Sequence, residues 1–188
     1  MTSEWAGPLY GFKLLTPERL DGDLWLRSSI QWPQARLLAP LSLIWPKPPD
    51  SLAAECQLDL QYVLPHGVPA LACSCGIYAA LRPLPWDGGK VPVLVRGWGK
   101  VALHTEGWRA ERARIEAALV FGGAWEAAAA EIVSGAYGVP ELDWREALEL
   151  VEPTRLYMEL VEPTRLYILA TGLTPGAAAP PDADGGSS

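Results

Sequence analysis

The sequence predicts an α+β protein: a β-rich core, built as a small twisted sheet or partly open barrel, followed by two short C-terminal helices. Short apolar runs punctuated by Gly, Pro and Asp dominate the first 120 residues, which is strand-and-turn chemistry. An alanine-rich stretch and a capped segment follow between residues 124 and 150, and these read as helices. A third observation is chemical. All three cysteines and one of the two histidines fall within twenty residues, in the pattern C-x9-H-x6-C-x-C.

The elements follow in order. Residues 9–15 and 24–28 read as strands, with the Asp21-Gly22-Asp23 turn signal just ahead of the second. Residues 31–50 carry five prolines and read as irregular, with one strand over 41–45. Cys56 opens an extended run to Val63, and residues 76–82 suit a helical turn or two. Residues 91–95 and 99–104 are strand-like, separated by a glycine break that suits a bulge. After the Thr105-Glu106-Gly107 turn, composition and position conflict over residues 108–115; the position favours the return strand of a hairpin.

Residues 124–133 have helical apolar spacing and end at Ser134-Gly135, which suits a C-cap. Asp143 can cap a second helix over 144–150, with Glu146 completing a capping box. From residue 172 the composition collapses to Thr, Pro, Gly, Ala, Asp and Ser, so 172–188 is expected to be a disordered tail behind a single domain, 1–171. One nonapeptide occurs twice, as Glu-Leu-Val-Glu-Pro-Thr-Arg-Leu-Tyr at 149–157 and again at 159–167. Two copies are too few for a solenoid and read as a tandem duplication; an offset of ten keeps side-chain facing if the segment is a strand.

Charge and length narrow the class. Fifteen basic against 22 acidic residues give a net charge of -7, which argues against a general nucleic-acid backbone binder. No basic-then-apolar leader and no apolar run of membrane length is present, and the cysteine usage suits a reducing compartment, so a cytoplasmic location is expected. Nine tryptophans, many beside Pro or Gly, suit strand ends packed on a small core; an aromatic ligand platform is the alternative.

The cysteine pattern points to zinc. Cys56, His66, Cys73 and Cys75 offer three thiolates and an imidazole, a full tetrahedral set for Zn²⁺. In an extended segment Cys73 and Cys75 face the same side and reach one ion together. Buried structural thiols and redox chemistry are the competing readings. Disulfides suit the pattern poorly, since three cysteines leave one over and C-x-C is too short for an unstrained bridge. No H-E-x-x-H, G-x-S-x-G, P-loop or deaminase signature is present. His104, Glu106, Trp108 and Arg109 form a further candidate binding surface at the hairpin tip, against the plainer reading of a solvated turn.

Three stretches, His66-Gly-Val-Pro running to Cys73-Ser-Cys-Gly-Ile-Tyr-Ala, Gly97-Trp-Gly-Lys-Val-Ala-Leu-His and Gly107-Trp-Arg-Ala-Glu-Arg-Ala, resemble a group of small bacterial proteins common in actinobacteria. These carry an H…CxCGIYA segment followed by WGxV…GxRAExA. The resemblance spans about residues 9–140 and includes Cys56 and the Tyr137-Gly-Val-Pro stretch; Arg112 stands where the group has an aromatic. It implies the metal site and a shared fold, and leaves the function open. Two functions are therefore expected. The first is a zinc-stabilised binding module for an unknown protein or nucleic-acid partner, since a closed Cys₃His site leaves no open coordination position. The second is a zinc hydrolase or deaminase-like enzyme, which requires one of the four residues to leave the metal.

Overall fold

The sheet begins with a strand too long for one partner. The computed structural model describes residues 8–28, 43–54, 67–69, 75–84, 89–160 and 166–169. Strand β1 (Leu9–Leu20) pairs through Leu9–Leu15 with β6 (Val91–His104) and through Thr16–Leu20 with β2 (Asp23–Ser28). Asp21 (φ 54°) and Gly22 (φ 89°) form the two-residue turn between β1 and β2. Both residues lie in the left-handed region, as a type I′ hairpin demands and as the Asp-Gly signal predicts. Strand β3 (Leu43–Trp45) extends β2.

β6 turns back at Thr105-Glu106 into β7 (Gly107–Val120), the longest hairpin of the fold. The hairpin choice for residues 108–115 is correct, and the strand runs five residues further. The expected bulge is present. Register shifts between Trp98 and Val101, where Gly99 takes φ 80° and Lys100 N donates to Glu111 Oε2 at 3.1 Å. A second shift lies between Leu94 and Val95.

Residues 76–82 are a correction: Ile77–Ala80 is strand β5, paired with β7, and forms no helical turn. Ile77 and Ala79 are buried while Tyr78 is exposed, the period-two alternation of a strand. The pairings close on themselves, β1 to β6 to β7 to β5 and, through the single pair Phe12↔Ala80, back to β1. That last seam is thin. Lys13 reinforces it by donating its ammonium to Tyr78 O at 2.8 Å, beside the Trp45 ring. Burial lowers this amine to about 8.

Trp108 fills the space inside the closed pairing. It is fully buried and donates Nε1 to Tyr10 O at 3.0 Å. Gly97 and Gly11 supply its room: a Cβ at Gly97 would lie 2.5 Å from the indole Cζ3, and one at Gly11 2.8 Å from Nε1. Glycine in mid-strand is here a consequence of a close neighbour.

The helices form a second layer. Helix α1 (Ala124–Tyr137) crosses from β7 to β8 (Glu141–Asp143), which pairs parallel to β7. It ends at Gly138 rather than at Ser134-Gly135, with Gly138 N donating to Ser134 O. The extra turn delivers Tyr137, whose hydroxyl donates to Trp45 O and accepts from Leu26 N.

Helix α2 (Trp144–Leu160) also outruns its expected end at Leu150, although it contains Pro153. Asp143 caps it as expected, accepting from Arg145 N. The stripe Ala147, Val151, Thr154 and Met158 explains the length: all four are buried at helical spacing. The burial of that stripe outweighs the hydrogen bond Pro153 removes. Strand β9 (Leu166–Leu169) then pairs with Gly99–Ala102 of β6. Among the described residues the fold is thus α+β, with two helices and a β-rich sheet, as expected. The helical part extends ten residues further, and the expected tail at 172–188 lies outside the described residues. No described helix is long and apolar enough to cross a membrane.

Candidate functional site

Strand β4 (Leu52–Ala53) and β5 occupy the same edge of β7, one after the other. Leu52 pairs with Ala113, Ala53 with Arg112, and Ala54 N donates to Glu111 O at 2.7 Å; Ile77 takes the next position, Ala110. The end of β4 therefore meets the start of β5. Two residues beyond Ala54 is Cys56, and two before Ile77 is Cys75.

The segment after His66 comes to the same place. A Cβ on Gly76 would lie 3.2 Å from Pro69 Cβ and 3.1 Å from Arg109 Cβ, so 67–69, 75–76 and β7 are in contact. Gly67 lies against the Lys100 ammonium, and Lys100 is anchored through its backbone to Glu111 at the bulge. Pro69 is buried and Cys75 partly buried. Cys56, His66 and Cys73 lie outside the described residues. Among the described residues, no three His, Cys, Asp or Glu side chains gather as a metal site.

Arg109 organises this corner. Its side chain is 2% exposed, its Nε donates to His104 Nε2 at 2.6 Å, and its Nη1 donates to Cys75 O at 3.1 Å. The guanidinium carbon lies 5.5 Å from the Tyr78 ring centroid, and Tyr78 in turn stacks on His104 at 6.2 Å. An arginine fork suits this task, because it serves two acceptors and an aromatic face at once.

The hairpin-tip expectation needs correction. Glu106 is exposed and His104 partly so, but Trp108 and Arg109 are buried and present no binding surface. β7 is covered on both faces here: Trp108 points into the closed sheet, while Arg109 lies under Tyr78, His104 and Gly76. Tyr78, 42% exposed, was not expected at the site. Its signal was the alternation in Ile77-Tyr78-Ala79, which the helical reading of 76–82 obscured.

The His104 imidazole accepts a hydrogen bond from a cation, so it is neutral in the fold. Burial first, and the charge of Arg109 second, lower its pKa below the ordinary value. The unfolded chain then binds the proton more readily, so stability is intact above about pH 6.5 and falls as the pH drops through the unfolded value. The melting temperature of the wild type is expected to fall more steeply below that pH than that of His104→Gln. Parallel curves for the two proteins would contradict the hydrogen-bond assignment.

No protein-family model, curated protein or solved structure matches the chain.

Proposed function

We propose that this chain is a zinc-stabilised β-rich binding module, with Cys56, His66, Cys73 and Cys75 holding one Zn²⁺. The observation that carries the reading is the convergence on β7 and the adjoining bulge of β6. Ala54, two residues before Cys56, pairs with Glu111; Gly67, next to His66, packs against the Lys100 side chain; and Cys75, itself a candidate ligand, is held through its carbonyl by Arg109. Covalent geometry limits each link to about 3.8 Å, so residues one or two links from these anchors have a short reach to a common ion. The donor chemistry suits zinc, and four protein ligands make a closed, structural centre. Arg109 then acts as an outer support, fixing the carbonyl of Cys75 while its sulfur faces the metal.

A module of this kind binds through its surface rather than through the metal. Tyr78 and His104 form the accessible rim beside Arg109, with Glu106 exposed at the hairpin tip, and a net charge of -7 directs the module to a protein, or to an exposed nucleic-acid end, in preference to a phosphate backbone. Purified protein is expected to carry about one zinc per chain by plasma mass spectrometry, and Cys75→Ser to lose most of it. Metal-free wild-type protein that melts as sharply before and after zinc addition would overturn the reading.

A further inference from the structure

The same nonapeptide ends in two structural states in one chain: Leu156-Tyr157 are helical and Leu166-Tyr167 are strand. Its first copy, 149–157, is continuous helix within α2; its second, 159–167, starts in the last turn of α2 and ends in β9. The middle of that second copy, 161–165, lies outside the described residues. In copy two the nine residues thus connect a helix end to a strand start. Copy one has the same letters and therefore the same local propensities, and only its tertiary contacts hold it helical.

Three features favour exchange. Pro153 sits in the interior of α2, where it removes one backbone hydrogen bond and marks where the helix opens first. Copy one also lies near the seat that β9 fills. Thr154 Oγ1 accepts from Tyr10 N, Tyr10 pairs with Arg96, and β9 begins its pairing three residues further along β6, at Gly99. Finally, β9 is a short four-residue strand on the β6 edge; its first half, Leu166-Tyr167, is the end of copy two, Ile168-Leu169 follow where Met158-Glu159 follow copy one, and edge pairing is made by backbone groups that either segment supplies.

We propose that the 99–102 edge of β6 accepts either copy of the nonapeptide, so that the chain has two registers ten residues apart, with Pro153 as the hinge. In the second register α2 ends near Leu150, Leu156-Tyr157 takes the place of Leu166-Tyr167, and the C-terminal segment lengthens by ten residues. Helix and strand compete for one segment, and whatever binds the lengthened segment selects the second register.

Proline at both Leu166 and Tyr167 tests this, because one of two adjacent amides faces β6 whichever the phase. Amide exchange protection over 99–102 is expected to persist in this variant, while helical circular dichroism falls by the share of α2 beyond Leu150. Adding Pro153→Ala, which favours the helix, is expected to remove that protection at the amides of 99–102 that face β9, while Lys100 N stays protected by Glu111. Deleting residues 151–160 leaves one copy, and that protein is expected to fold with the β6 edge protected. Loss of protection in the double-proline variant, protection retained with the helix intact, or a deletion protein that does not fold would each overturn the proposal.

Discussion

Replacing Trp108 with alanine is expected to lower stability by about 3–5 kcal/mol, the usual range for removing a buried tryptophan. The residue is fully buried, and its indole is held by Tyr10 O and by the two strand positions, Gly11 and Gly97, that have no side chain of their own. Those backbones are fixed by β1–β6 pairing, so they cannot collapse into the space the indole leaves. Trp108→Phe keeps a ring but leaves the Tyr10 carbonyl without that donor, and is expected to cost less than the alanine change. Urea denaturation of the three proteins checks the order. A Trp108→Ala protein within about 1 kcal/mol of wild type would mean that the interior is not packed around this ring.

Removing the proposed zinc ion is expected to have an effect of similar size. A ligand bound at a thousandfold excess over its dissociation constant stabilises by about 4 kcal/mol, which for a chain of this length moves the melting temperature by roughly 8–16 °C. Chelation should therefore lower the melting temperature by an amount in that range, and zinc should restore it. The loss should be felt where β4, β5 and the Gly67–Pro69 segment meet β7, since the proposed ion ties together chain segments that are otherwise joined by few backbone hydrogen bonds. A melting temperature that ignores the chelator would remove zinc from the account of stability.

The sequence was informative wherever one local signal dominated. Asp21-Gly22 identified its hairpin turn because type I′ geometry admits few other residue pairs. Gly99 marked its bulge for the same reason. Reading failed where tertiary packing overrode local preference. Pro153 argues for a helix end, yet the buried stripe from Ala147 to Met158 carries α2 past it. Arg109 looked like an exposed turn residue because arginine is seldom buried; its burial depends on Tyr78 and Cys75, which lie about thirty residues away and meet it only through β5–β7 pairing. β8 and β9 are too short to announce themselves, since three or four residues give no readable period. Of the proposed centre, the ligand types were legible in the sequence, whereas the meeting of β4 and β5 on one edge of β7, with Gly67 against Lys100 nearby, was not.

The most direct test of the central claim is zinc K-edge X-ray absorption on the purified wild-type protein. One zinc per chain is expected, with three sulfur neighbours at about 2.3 Å and one nitrogen at about 2.0 Å. A first shell of oxygen and nitrogen, or two sulfurs with an open water position, would contradict the closed Cys56–His66–Cys73–Cys75 centre.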